Sequence, residues 1–568
     1  MNFLQSGFEF VFAFVLLLSI LIFVHELGHF LVARACGVRV LKFSIGFGPP
    51  IRIGRFELAW HRGGTDYVIA WFPLGGFVKM LGENPDEIDD PEALAHPDEA
   101  LGSKTLWQKL AIVFAGPVMN LLLPVLVFLV TLAIGVPRPE AVIGSVEPDS
   151  PAARAGLAPG DRVTAVEGES IAWWGDFDDA VRDHPGRDLH VRVLRGGAER
   201  DIALPVLQRT SFDELGQPVE AGWVGAGFRR IASMLGVPSA ASPAFAAGLR
   251  SGDVVKSVDG KPVESWEELA SAYAGAVQGP VRFEVERAKL GAEAAPDAKP
   301  ETVVAEVPAQ GDLARLGIVP ANVLVDRVEP DSPAAQAGIQ SGDLILAVDG
   351  APLGSFSSFA ETVRASKGRP LELQIARDGE TRALRLAPAM ANVDVGLGVE
   401  EPRYRVGIGA RAATLQGALG TDVERNPLVA LPRAVGMTVD FTQSFLRGLG
   451  MIVTGQVSRN QIAGPIGIAE IAGNAMHQGW EAYLTILVVI SINLGVLNLL
   501  PIPILDGGQA LLFLVEAMRR GPLSLRTREI AQQVGFTVLI LIMGLAFWND
   551  LSRQWMRLLD WLNTHGPS

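Results

Sequence analysis

Residues His25-Glu26-Leu27-Gly28-His29 carry the clearest chemistry in the chain. On a helix, side chains four apart share a face, so His25 and His29 can clamp one metal ion with Glu26 beside it as a proton acceptor. Taken alone, the pair also fits two histidines bonded to neighbouring backbone or carboxylates. The motif closes an apolar run from Phe8 to Val24 that is nearly uncharged and about long enough to cross a bilayer. A hydrolytic metal site is therefore expected at membrane depth. A catalytic zinc usually has three protein ligands and a water, so one ligand must come from elsewhere.

A candidate stands near the other end of the chain, in Asn493-Leu-Gly-Val-Leu-Asn498-Leu-Leu-Pro501-Ile-Pro503-Ile-Leu-Asp506-Gly-Gly508. Two prolines two residues apart cannot sit inside a regular helix, so the backbone near Leu500 to Leu505 is expected to open. Opened backbone at membrane depth is tolerated only against protein or a watery cavity. An Asp in that place needs a partner, and a metal ion is a good one. The alternative is a helix end with a polar turn.

Four stretches read as membrane helices: Phe8 to Val24, Ile112 to Val136, Ala482 to Leu500 and Val534 to Trp548. Trp107, Trp480 and Trp548 lie near their ends, where amphipathic rings favour the headgroup zone. The first run lacks the basic start and small-residue cleavage site of a signal peptide. Arg34, Arg39, Lys42, Arg52, Arg55, Arg62 and Lys79 follow span one, and Arg519, Arg520, Arg526 and Arg528 follow span three. By the positive-inside rule those loops are cytoplasmic. The insert from Pro137 to Trp480 and both termini then lie outside. The acidic run from Glu83 to Glu99 reads as a solvated loop.

Within the insert the sequence repeats itself. Ser150-Pro-Ala-Ala-Arg-Ala-Gly-Leu-Ala-Pro-Gly-Asp161 recurs from Ser242 to Asp253 and from Ser332 to Asp343. A spacing of about 90 residues is that of a small domain. Ser caps a short helix, Pro opens it, Gly ends it, and Gly-Asp turns the chain into a strand. The strands Val163 to Val166, Val254 to Val258 and Leu344 to Val348 follow, with Asp259-Gly260 and Asp349-Gly350 as hairpin turns. The Ala-, Pro- and Glu-rich stretch from Ala288 to Val307 reads as a flexible loop in the second copy.

Composition agrees with a mixed membrane and β-rich object. Hydrophobic residues make up 49% of the 568 and mean hydropathy is +0.29, yet 62 Gly and 37 Pro do not suit a pure helical bundle. A net charge of -14 argues against nucleic acid as a partner. The single cysteine, Cys36, excludes an internal disulfide and reads as a small packed residue.

The repeats resemble PDZ domains of bacterial proteases, which take an extended peptide or chain terminus onto a sheet edge. Val224-Gly-Ala-Gly-Phe228 is a candidate carboxylate-cradling turn in the second copy. A spacer without a ligand is the other reading of any one copy. The His25 to His29 motif in a first span, Asn498 to Gly508 in a later one, and PDZ-like modules between them resemble the site-2 intramembrane metalloproteases. The likeness includes Gly46-Phe47-Gly48, Phe72 to Gly82, Ala115-Gly-Pro-Val-Met-Asn120, Gly464 to Ala469 and Met543 to Ala546.

The resemblance implies that His25, His29 and Asp506 hold Zn²⁺ and that Glu26 is general base and acid. It makes Asn493, Asn498, Pro501 and Pro503 substrate-contacting and loop-shaping residues. Gly46, Phe47 and Gly48 become part of a membrane re-entrant β structure that offers an edge to substrate. It also implies residence in the inner membrane of a double-membraned bacterium, with the modules periplasmic. The substrate would be a single-span membrane protein, such as an anti-sigma factor, after a first cut by another protease. The resemblance implies two modules, whereas the insert carries three copies.

The expected fold is an α+β membrane protein with four transmembrane helices, a re-entrant β region and an extracytoplasmic insert of three PDZ-like modules. Its parts are an N-terminal membrane half (1–136), modules at 137–210, 220–312 and 318–392, an amphipathic juxtamembrane region (420–480) and a C-terminal membrane half (481–568). The expected function is zinc-dependent regulated intramembrane proteolysis in contact with the lipid bilayer. The alternatives are a catalytically silent membrane-bound PDZ adaptor and a soluble-type metalloprotease on an anchor.

Overall fold

A computed structural model describes residues 3–54, 56–83, 95–212, 218–275, 279–288, 299–394, 400–411, 413–454, 463–521 and 523–565. The chain forms two units. One holds residues 1–136, 393–401 and 423–568, and the other holds 137–392 and 402–422.

In the first unit, helix α1 (Phe3–Ala35) runs eleven residues past the expected end of span one. The His25 motif consequently lies well inside a helix: nothing from Val24 to Ala35 breaks the ladder, and Gly37 with φ 71° ends it. Helix α2 (Leu106–Ile134) starts at a Thr105–Gln108 capping box and contains Pro117 and Pro124. Helices α3 (Pro427–Val453), α4 (Pro465–Gln478), α5 (Trp480–Asn498), α6 (Asp506–Arg519) and α7 (Leu525–His565) follow the insert. Among the described residues, four segments are long and apolar enough to cross a membrane: Glu9–Ala35, Leu106–Ile134, Trp480–Asn498 and Arg526–Trp555.

Leu17, Leu21, Val127, Ala434, Ala472, Leu487 and Val488 form one buried cluster that joins α1 to α2, α3, α4 and α5. Gly28 lets α1 and α2 approach closely. A Cβ there would lie 2.7 Å from the Ala115 carbonyl carbon and 2.8 Å from Met119 Cγ. The Tyr483 hydroxyl donates to the Ala13 carbonyl at 2.9 Å, tying α5 to α1. Asp550 of α7 is buried and accepts from the backbone N–H groups of Gly464, Ile466 and Gly467 at 3.0, 2.9 and 3.1 Å. It caps α4 from 86 positions away, at a helix start whose own residue, Gly464, has no side chain to do so.

Between α1 and α2, strand β1 (Val40–Pro50) pairs with β3 (Thr65–Met80) along both of its edges. Phe43 faces Tyr67 on one side and Val78 on the other, so β3 wraps around the end of β1. Strand β2 (Ala59–Arg62) pairs with the first half of β3. The acidic residues Asp86, Glu87, Asp89, Asp90 and Glu92 lie outside the described residues.

The second unit contains three four-stranded sheets, each built on one copy of the repeat. Ser150, Ser242 and Ser332 accept from the N–H groups of Ala153, Phe245 and Ala335 at 3.1, 3.2 and 3.2 Å, each with Pro at the first helical position. The Asp that ends each copy is fully buried and paired to an arginine 34 residues on: Asp161 to Arg195, Asp253 to Arg287 and Asp343 to Arg377. The arginines also donate to the carbonyls of Gly156, Gly248 and Gly338. These pairs escape a local sequence reading because the arginine lies 34 residues on, at the end of the neighbouring strand of the same sheet. Replacing Arg287 with Met should leave a buried carboxylate without its cation and destabilise the middle sheet by about 2–4 kcal/mol. Limited proteolysis of the full chain would show earlier cleavage within residues 232–320.

Each repeat is completed by a short strand from beyond its own sheet. Ser145–Val146 pairs with Ala226–Gly227, Leu235–Gly236 with Val319–Pro320, and Val325–Val328 with Ile408–Ala410. The repeats thus extend past the expected limits at 210, 312 and 392. Val224 to Phe228, expected in the second copy, pairs instead with the first. Asp259-Gly260 and Asp349-Gly350 have positive φ at both positions between paired strands, the geometry of a two-residue hairpin turn. The loop expected up to Val307 ends sooner: Glu301–Pro308 is a strand paired with Pro280–Arg287, driven by the alternating Val303, Ala305 and Val307. Residues 289–298 of that stretch lie outside the described residues. The insert's first strand, Val136–Pro139, pairs with its last, Leu419–Asp422, and Arg138 donates to buried Asp422 at 2.9 Å.

Candidate metal and catalytic site

His25 and His29 sit one turn apart on α1, and both are buried. The third group arrives from a break between helices. α5 stops at Asn498 and α6 restarts at Asp506, so the backbone from Leu499 to Leu505, with Pro501 and Pro503, is not helical. This break positions Asp506 in the first turn of a helix, where unsatisfied N–H groups favour a carboxylate. Gly507 and Gly508 allow the chain to fold tightly back. A Cβ on Gly507 would lie 2.5 Å from the Leu500 carbonyl oxygen, and one on Gly508 the same distance from Pro503 Cα. Gly535 of α7 packs beside the same loop, since a Cβ there would lie 3.3 Å from Pro503 Cδ.

The structure brings His25, His29 and Asp506 together, with ligand atoms all within 4.8 Å of one another. His25 Nε2 lies 3.2 Å from Asp506 Oδ2, His29 Nε2 lies 3.6 Å from Asp506 Oδ1, and the two Nε2 atoms are 3.2 Å apart. The buried Asp506 Oδ2 has no hydrogen-bond partner among the described residues. The Ile112 carbonyl can only accept, so His29 Nδ1–H donates to it at 2.8 Å and the Nε2 lone pair is left facing Asp506. Two imidazole nitrogens and one carboxylate oxygen match the three-ligand set of a catalytic zinc, with a fourth position for water. The residues fit the ion.

Two glycines from outside α1, each within a segment of the family likeness but given no role by the sequence, shape the site. A Cβ at Gly116 of α2 would overlap His29 Nε2 and lie 2.8 Å from His25 Nε2. One at Gly76 of β3 would lie 3.0 Å from Glu26 Cγ and 2.7 Å from Ile22 Cγ2. A glycine facing a known ligand pair is visible only once the helix pairing is known. Replacing Gly116 with Ala should displace an imidazole and lower zinc affinity by at least about 10-fold, as loss of a supporting contact does. Chelator competition would measure it.

The other expected residues are distributed around this centre. Asn493 and Asn498 lie on the last turns of α5, and Pro501 and Pro503 on the break itself. Gly46, Phe47 and Gly48 lie where β3 wraps around β1, with Phe47 opposite Phe72 and both glycines at positive φ. They are not on a free edge, because β1 is flanked by both halves of β3. Next to Glu26 it is Gly76 to Met80 of β3 that has a single strand partner among the described residues.

Known proteins are similar in sequence over most of the chain. The model of peptidase family M50 matches residues 13–542. The regulator of sigma E protease of Salmonella typhi is 34% identical, with 95% of this chain and 98% of that protein covered. The regulator of sigma-E protease RseP of Escherichia coli K12 is 31% identical over the same shares, and a zinc metalloprotease homologue of Neisseria meningitidis is 30% identical. The chain belongs to peptidase family M50, the site-2 proteases, and is a zinc-dependent metalloendopeptidase of regulated intramembrane proteolysis.

Proposed function

We propose that the chain cuts the transmembrane segment of a single-span protein that another protease has already shortened, with an anti-sigma factor as the substrate class. The observation that carries this reading is the convergence of Asp506, at the start of α6, with His25 and His29 of α1, a helix apolar enough to cross a membrane. Zinc held by these residues supplies a Lewis acid for the scissile carbonyl and an acidified water. Glu26, next to His25 on α1, would serve as general base and then general acid, holding the transferred proton on its carboxylate until the leaving amine takes it. His29 is held by its bond to Ile112, so its ring does not swing during the reaction.

A helical substrate hides its peptide groups in its own hydrogen bonds, so it must be held extended to be cut. The edge Gly76 to Met80, beside Glu26, supplies replacement bonds by strand addition. Gly46 to Gly48 shape the wrap that presents this edge, and Asn493 and Asn498 on α5, with Pro501 and Pro503 in the break, contact substrate and shape the loop that carries Asp506. Substrates with residues that weaken a helix are favoured for this reason.

The three repeats serve as PDZ-like modules that screen substrates by bulk and take peptide or chain-terminus ligands. The protein resides in the inner membrane. Its Arg- and Lys-rich loops after spans one and three face the cytoplasm, and its insert and termini face the periplasm. Mapping the scissile bond of a single-span substrate tests the reading. A bond within the apolar segment supports it, and cleavage confined to water-exposed positions overturns it.

A further inference from the structure

Asn120 is a polar side chain in the middle of apolar helix α2 and is 0% exposed. A carboxamide buried this way is costly unless its donors and acceptor are paired. Its Nδ2 lies 3.1 Å from His25 Nδ1, while its Oδ1 has no hydrogen-bond partner among the described residues. Its main chain is held separately. Pro124, four residues on, has no N–H to offer the Asn120 carbonyl, and Ser491 of α5 donates its hydroxyl there at 2.6 Å. The backbone is thus fixed by a second helix while the carboxamide can turn about its own bond.

The bond from His29 to Ile112 shows what the other imidazole needs. His25 can offer Nε2 as a ligand atom only when its proton sits on Nδ1, and a buried Nδ1–H requires an acceptor. The group facing Nδ1 is Asn120. Half a turn of the carboxamide exchanges Oδ1 and Nδ2 without changing its shape, pairs the orphaned Oδ1, and gives Nδ1–H its acceptor.

We propose that Asn120 is the positioning residue that sets the tautomer of His25, its Oδ1 accepting the Nδ1 proton so that Nε2 faces Asp506 as a ligand atom. This rests on His25, His29 and Asp506 being the zinc ligands. Through Ser491 the same residue couples the α1 ligand pair to the helix that leads into the Asp506 break.

The test titrates metal-stripped full-length protein in detergent with Zn²⁺ against a chromophoric chelator. Asn120→Asp keeps an acceptor of the same size and is expected to bind zinc at or above the wild-type affinity. Asn120→Leu keeps the bulk without the acceptor and is expected to weaken binding about 10–100-fold. Asn120→Ala repeats the loss with a side chain that cannot overpack. Wild-type affinity in both apolar variants overturns the proposal, as does an equal loss in Asn120→Asp, which marks packing alone. His25→Ala reports on the ligand set by itself: undiminished binding there overturns that assignment, whereas loss there with retention in Asn120→Leu and Asn120→Ala overturns only the role of Asn120.

Discussion

Replacing Glu26 with Gln is expected to lower cleavage of a single-span substrate by about 10²–10⁴-fold, the usual contribution of a positioned general base and acid. Zinc content should not change. Gln has the same length and volume, so the contact with Gly76 that seats this side chain persists. The amide cannot take a proton from water or return one to the leaving nitrogen. Paired measurements of cleavage rate and bound metal on the same purified sample check both halves. Cleavage at the wild-type rate by Glu26→Gln would remove the residue from the reaction, and equal inactivity of both proteins with no bound zinc would favour a silent adaptor.

Asp506→Ala is expected to have the second largest effect, on both quantities together. It removes one of three ligand groups, a larger change than the loss of a supporting hydrogen bond, which costs about 10–100-fold in affinity. Zinc affinity should therefore fall by more than that, and cleavage with it. His25 and His29 stay on α1, four residues apart, so residual weak binding by two imidazoles is compatible with this outcome. Retention of full affinity would mean that the carboxylate 3.2 Å from His25 is not a ligand.

Much of the site was legible because its parts break local rules. Histidines four apart in an apolar helix, and Pro501 and Pro503 between the end of an apolar span and Asp506, are each costly unless they serve something. The repeat was legible through its helix caps and hairpin turns, whose chemistry is local. What stayed hidden depends on contacts across the chain. The Asp–Arg pairs join neighbouring strands 34 residues apart, and the closing strands come from beyond each four-stranded sheet. Gly116, Gly76 and Asn120 acquire meaning only when α2 and β3 are known to face the histidines. Which strand of the re-entrant β structure carries an unpaired edge was hidden for a related reason. A strand that wraps around its partner and pairs along both edges has no signature in residue alternation.

Val136–Pro139 and Leu419–Asp422 lie side by side, so everything between them is a closed excursion that leaves and returns through one doorway. Adding or deleting a whole repeat changes the length of the detour without moving its endpoints. The excursion's length is thus set by the repeats it holds, and the spacing of its two ends by this one strand pair.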